Sequence, residues 1–460
     1  MVFLNFRRIC FMDKTILVIA IIGLIAVLVE FRIRNLRIAN NLNLFDGMFF
    51  GGCIFVVVPI ILTFFIGPIS ITDFDINYSY NWSKDIETTL YAIISVLCFG
   101  VVSLFKQGTR TVFLSNRIPQ YCKNYLILSF ILYSGSEIIF FIASGKSEGN
   151  AHWYSSNAAT FQKSSLYVLL AQFHNVGRVI IPAIFIYLET KSPSRQIFRL
   201  HFMFSAILIL IELGLSGNRI AMLFIVVSFL LPFILQKRSK LIVYLILFAI
   251  PLVAIAQVWP QFRGLIWTEK ISFERIGQVL TTSVETASQS NFTGNNNPLL
   301  VATEGSNLVV LNYTLHKYQR TSDFLLGETI IVKSLGTFIP KSVWKNKPEG
   351  VGSRIGEEIS DYYGLVLNTT IIGEAWANFG VLGIPIMLIL LYLIDLPFSQ
   401  LQFRSFFSTI MFMAGIASWR FDFSFLIVSI IIIVLIHLLL QIGFIRYSIE
   451  QFSKALFSRR

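Results

Sequence analysis

The groups with chemistry to do in this sequence are polar side chains set inside long apolar runs. Glu137 stands in the run 125–144. His174 and Arg178 share the run 165–189, four residues apart and so on one helix face. Glu212 lies near the end of the run 199–215, and Arg219 opens the next one. Glu374 and Asn378, again four apart, open the run 371–394, and Arg420 and Asp422 join the last two runs. A charge in hydrocarbon is expensive, so each of these groups needs a partner, water or an anion. Each also has a bland reading, as a structural ion pair or as an end residue snorkelling to the interface. The collective pattern favours more than that. All of them fall in one half of the membrane, which points to a polar cavity open to that side. Two or more arginines facing such a cavity suit a diphosphate, which guanidinium groups grip bidentately.

The only long hydrophilic stretch, residues 260–370, brings Arg263, Arg275, Glu304, His316, Lys317, Arg320, Glu328, Lys341, Lys345, Lys347 and Arg354. Most charges in such a loop are merely solvated, yet a loop this long inside a compact chain is usually functional. His316 is a candidate base, although a lone histidine is a weak signal. The sequence contains no HExxH, no CxxC and no P-loop lysine motif. Zinc hydrolysis and ATP-driven transport therefore lose support, and no metal and no cofactor are expected.

The elements that must position these groups are membrane helices. The chain has 460 residues, 55% hydrophobic and 13% charged, against roughly 25% charged in a soluble domain. Apolar stretches near 14–30, 47–67, 88–105, 125–144, 165–189, 199–215, 220–235, 240–259, 371–394, 405–418 and 424–444 are read as spans, because a bilayer asks for about 20 apolar residues per helix. The expected fold is all-α. It is a single polytopic membrane domain over 1–460, with about eleven spans and one large extracytoplasmic loop, 260–370, between the spans near 240–259 and 371–394. The formal charge of +12 does not argue for nucleic acid, since the lysines and arginines sit in short connections and make no basic stripe. Arg32, Arg34, Arg37, Lys106, Arg110, Lys191, Arg195, Lys237 and Arg238 all fall on one side, the cytoplasmic side by the positive-inside rule. Arg7, Arg8 and Lys14 violate that rule and leave the orientation of the first span open.

Three segments carry a resemblance: Phe324-Leu-Leu-Gly-Glu-Thr-Ile, then Thr337-Phe-Ile-Pro-Lys-Ser-Val-Trp-Lys-Asn-Lys-Pro, then Ile372-Gly-Glu-Ala-Trp-Ala-Asn-Phe-Gly-Val-Leu-Gly, with the Gly217-Asn-Arg219 turn between two spans. The ordered set resembles the bacterial oligosaccharide repeat-unit polymerases, the O-antigen polymerase (Wzy) family. The resemblance implies an enzyme of the bacterial inner membrane acting at its periplasmic face, with a fold like the membrane-embedded glycosyltransferases that include O-antigen ligases. It implies transfer of a growing glycan from undecaprenyl diphosphate to the non-reducing sugar of a new lipid-linked repeat unit, without a nucleotide sugar. The lipid-linked oligosaccharide and membrane lipid are the expected partners, with a polysaccharide chain-length regulator beside them. Arg178, Arg219 and the loop arginines Arg263, Arg275 and Arg354 are then expected to meet the diphosphate or glycan, with His174, Asn378 and Glu304 also binding and Glu374 or His316 as base. The rival readings are an O-antigen ligase and, from another class, a lipid-linked oligosaccharide flippase. The single large loop breaks the repeated-half symmetry common in transporters.

Overall fold

The computed structural model describes residues 11–39, 42–71, 78–106, 117–143, 165–212, 220–236, 277–278, 281–282, 285, 300, 304–320, 323–339, 343–359, 366–399 and 404–457. Helix α1 covers Phe11–Ala39. The next passage, Leu44–Ile66, is made of α2 (Leu44–Gly52), a π-helical turn (Cys53–Val57) and α3 (Val58–Ile66). Then come α4 (Ile86–Phe105), α5 (Arg117–Ala143), α6 (Ser165–Lys191), α7 (Arg195–Ile211), α8 (Ile220–Leu235), α9 (Ser306–Lys317), α10 (Val351–Ile359), α11 (Thr370–Phe379), α12 (Gly383–Asp395), α13 (Arg404–Ala417), α14 (Phe423–Leu439) and α15 (Gly443–Phe457). Among the described residues, Lys14–Ile38, Leu44–Ile66, Ile86–Phe105, Leu169–Lys191 and Thr370–Asp395 are each long and apolar enough to cross a membrane, and α14 with the start of α15 makes a sixth candidate bent by 89°. The chain is a helical membrane protein. The span expected near 240–259, and most of the loop up to 299, lie outside the described residues.

One departure from an all-α fold is a short antiparallel pair, β1 (Ile69–Ile71) with β2 (Tyr78–Tyr80). Ile69 faces Tyr80 across the ladder, and both are buried. Two directly opposed large side chains on one covered face are what stabilises so short a ribbon. Helix α9 packs on this pair and on α11, closing that end of the molecule.

At the other end the helix termini are tied together. Arg32 of α1 grips Asp46 of α2 through Nε at 2.5 Å and Nη2 at 2.8 Å. Arg37 donates to the Ile234 carbonyl at 2.9 Å, Lys106 pairs with Asp395, and Gln236 donates to the Glu189 carbonyl at 2.7 Å. The last turns of α1, α4, α6, α8 and α12 therefore meet the start of α2 at one end, the end that carries the basic connections. Arg32 and Asp46 are buried, with 3% and 0% of their side chains exposed. Arg32→Ala should lower stability by about 3–5 kcal/mol, because a buried carboxylate loses its counter-ion. Thermal unfolding of the purified protein in detergent checks this, and an unchanged midpoint contradicts it.

Two glycines set the contact at the centre. A Cβ on Gly47 would lie 1.9 Å from the Phe412 carbonyl oxygen, and one on Gly415 2.6 Å from the Leu44 oxygen. Helices α2 and α13 thus approach backbone to backbone, as small residues allow between membrane helices. The Trp419 indole donates to the Met48 carbonyl at 2.7 Å. That bond pins the corner after α13, from which Arg420 and Asp422 project.

Candidate functional site

Opposite the basic end, a cavity of about 440 Å³ opens between the start of α6, the corner 420–425, the segments 333–337 and 347–353 and residues 366–369 before α11. Its polar wall includes Lys333, Lys347, Arg420, Asp422, Asn368 and Asn175. Three cations and one carboxylate in one recess make a site for an anion beside a hydroxyl-bearing group.

Each wall residue has a local cause. The segment Phe324–Leu335 feeds back against the break between α11 and α12. The N–H groups of Leu325 and Leu326 donate to the Ala377 and Asn378 carbonyls at 3.0 and 3.1 Å. Gly380, with φ of +56°, ends α11 there. The broken span thus keeps its freed carbonyls hydrogen-bonded within protein, which membrane burial demands. A π-helical turn, Glu328–Val332, then aims Lys333 at the corner, where it forms an ion pair with Asp422. The Ser424 hydroxyl donates to the same carboxylate. Gly352 lets the first turn of α10 touch the extended segment 366–369, for a Cβ there would lie 1.9 Å from the Leu367 oxygen, and the Leu367 N–H donates to the Gly352 carbonyl at 3.1 Å. Lys347 is held by the Thr337 and Ile339 carbonyls at 3.0 and 3.1 Å.

Thr370, beside the cavity wall, has φ of +61°. For a β-branched residue this is a strained conformation, and such strain collects at functional positions. Asn368 braces it by accepting from the Thr370 N–H at 3.0 Å and donating to the Trp419 carbonyl at 3.1 Å.

The electrostatics centre on Lys333. Burial alone raises the Asp422 carboxyl, but the Lys333 ammonium and the Ser424 hydroxyl outweigh it and hold it below the ordinary carboxylate range. Burial pushes Lys333 down, and the charges of Asp422 and Glu374 more than restore it, so its ammonium sits above its ordinary value. The pair's contribution to stability is therefore whole at neutral pH. It fades as pH falls through the depressed Asp422 value and as pH rises through the elevated Lys333 value.

The residues singled out in the sequence separate into groups. Glu374 is fully buried behind Asp422 and Lys333. Its Oε2 accepts from the Phe423 N–H at 2.6 Å, while no hydrogen bond reaches Oε1 among the described residues. It abuts the corner but does not line the cavity. Asn378, expected to bind sugar, is bonded within the fold. Its amide donates to Thr329 Oγ1 and the Glu374 carbonyl at 2.7 and 2.8 Å and accepts from the Gly327 N–H at 3.0 Å, so its bonding capacity is spent on the fold. His316, expected as a candidate base, is placed elsewhere. It is exposed in the last turn of α9, bonded to Gln319 at 2.9 Å, and is absent from the cavity wall. Arg354 pairs with Glu328 at 2.8 Å, also away from the wall. Glu304 joins the wall indirectly by pairing with Arg420 at 2.6 Å.

His174 and Arg178 belong to a different, buried cluster. His174 pairs with Glu137, and Arg178 Nε lies 3.3 Å from Glu212, whose Oε1 also accepts from the Tyr133 hydroxyl at 2.8 Å. Arg178 is 2% exposed and lies one to two turns deeper along α6 than the cavity-lining Ala171 and Asn175. It stands behind the wall with a carboxylate partner instead of facing the recess. Arg219, Arg263 and Arg275 lie outside the described residues.

The sequence reading missed Lys333, an ordinary lysine in a stretch where most charges are solvated. The one available signal was its position three residues after the Phe324–Ile330 segment. Compared with protein-family models, curated proteins and solved structures, the chain matches none.

Proposed function

We propose that the protein is a glycosyltransferase that polymerises lipid-diphosphate-linked oligosaccharide repeat units into a surface polysaccharide, in a bacterial inner membrane with its cavity on the periplasmic side. The observation that carries this reading is a convergence in space. Three sequence segments that resemble the repeat-unit polymerases meet at one place. Gly327 bonds Asn378, Lys347 joins the wall with Lys333, and Glu374 holds the corner of Asp422. The periplasmic side is supported by Arg37, Lys106 and Arg195, basic residues at the end opposite the cavity, as the positive-inside rule expects of a cytoplasmic end.

The chemistry fits the wall. The acceptor sugar hydroxyl attacks the anomeric carbon of the donor glycan. A new C–O bond forms there, and the bond from that carbon to the diphosphate oxygen breaks. The lipid diphosphate leaves as an anion, and the hydroxyl proton passes to Asp422. Lys333, Lys347 and Arg420 stabilise the charge that develops on the leaving oxygen, in a site partly withdrawn from water. Lys333 has two partners to choose between. As the diphosphate draws its ammonium, Asp422 loses a counter-ion and becomes the stronger base, so donor binding readies the acceptor side. The break at Gly380 supports this reading over a transporter, since the carbonyls of Ala377 and Asn378 are taken by Leu325 and Leu326 and are not left for an ion.

Deleting the gene and running the surface polysaccharide on a gel tests the proposal. Loss of a polymerase leaves core capped by a single repeat unit. Bare core points to a ligase or a flippase instead, and unchanged long chains remove the protein from this process.

A further inference from the structure

The basic end of the molecule holds a second cavity of about 400 Å³, between the end of α6, the start of α7 and the end of α8. Its wall combines opposite charges with aromatic surface: Glu189, Ser194, Arg195, Phe198, Phe233 and Gln236. Glu189 is only 6% exposed overall. Its Oε1 is engaged by His201 Nδ1 at 2.6 Å, and its second oxygen has no partner among the described residues. His201 is locked in turn by stacking between Phe185 and Phe229, with ring centroids 4.5 and 3.7 Å away, and by Ser228 at 2.8 Å. The carboxylate is thus fixed in place at a cavity, with one oxygen left for a donor.

Arg195 is exposed, and Arg199, one turn further along α7, is exposed on the same face. Beside and beyond them that helix carries exposed Phe198 (38%), Phe202 (64%) and Leu210 (70%), an apolar stripe running along the helix away from its start. A cation pair, a fixed carboxylate and an apolar stripe around one cavity supply a partner for each part of one kind of molecule. We propose that this cavity is a headgroup site for a phospholipid bearing a primary ammonium. Arg195 and Arg199 grip its phosphate, Glu189 accepts from its ammonium, and its acyl chains lie along Phe198, Phe202 and Leu210. A quaternary ammonium has no N–H to donate, and a glycerol headgroup carries no positive charge, so both fit less well. The site is independent of the proposed transferase reaction.

Native mass spectrometry of the full chain in detergent tests this. The probes are phosphatidylethanolamine, phosphatidylcholine and phosphatidylglycerol with identical acyl chains. The ethanolamine lipid should bind roughly tenfold or more tightly than the other two, on the strength of one charge-assisted hydrogen bond. Glu189→Gln keeps an acceptor for His201 and should level the three lipids. Arg195→Ala with Arg199→Ala should weaken all of them. Equal binding of the three lipids by the wild-type chain overturns the proposal without need of any variant, as does an intact ethanolamine preference in Glu189→Gln.

Discussion

Asp422→Asn should lower the rate of polymer formation per folded molecule by about 10²- to 10⁴-fold, the contribution of a positioned general base, beyond the roughly 3 kcal/mol of stability lost when the buried Lys333 loses this counter-charge. The asparagine keeps the shape of the side chain and an oxygen that can accept from Ser424, so the loss of stability comes from the missing ion pair and not from a change in the corner's shape. What it removes is the ability to take a proton from the acceptor hydroxyl. Glu374→Gln is the matching control. Glu374 is buried behind the wall, and a glutamine oxygen can still accept from the Phe423 N–H, so this variant should polymerise within a few-fold of wild type, as expected for a hydrogen bond that is kept. Chain length and rate measured with purified lipid-linked repeat units separate the two. Near-normal synthesis by Asp422→Asn together with loss in Glu374→Gln would exchange their roles, and normal synthesis by both would remove carboxylates from the reaction.

The contrast between these two carboxylates shows what the sequence could and could not convey. Hydropathy marks the helices because the bilayer's demand is local. Every backbone group must be satisfied within its own segment, so apolar length is enough to reveal Lys14–Ile38 or Ile86–Phe105. The polar groups of the runs were legible for the same reason, as exceptions in a uniform background. Their partners were not legible. Arg178 looks like a ligand for an anion in sequence, but its carboxylate, Glu212, caps the end of a different helix, α7, and only packing reveals the pair. Asn378 looks available on a helix face until the chain from Gly327 to Thr329 is seen to use up its amide. Lys333 is the reverse case. It lies in a hydrophilic stretch where a lysine draws no notice, and it gains its meaning only because a π-helical turn and a broken span carry it to Asp422. Gly352 is similar, since nothing in its neighbours shows that the Leu367 carbonyl occupies the place of a Cβ.

Lys333→Met should cost the folded protein about 3 kcal/mol and most of its activity, and the two losses can be pulled apart. Removing one partner of a buried pair costs roughly 3–5 kcal/mol. The lower figure applies because 33% of the Asp422 side chain remains open, against 17% for Lys333. The methionine leaves Asp422 and the buried Glu374 facing one another without a cation. Neutralising the first of them, in Lys333→Met with Asp422→Asn, should return the thermal midpoint most of the way to wild type. It should not return polymerisation, because both the diphosphate contact and the base are then gone. The pH dependence adds a readout that a merely structural lysine does not move. In wild type the Lys333 ammonium keeps the Asp422 carboxyl below its ordinary range against the opposing effect of burial. Without that ammonium burial prevails, the Asp422 pKa rises, and the acid limb of the rate–pH profile shifts to higher pH. An acid limb that stays in place in Lys333→Met, or full synthesis by the double variant, would take Lys333 and Asp422 out of the reaction and leave them a structural pair at the mouth of the cavity.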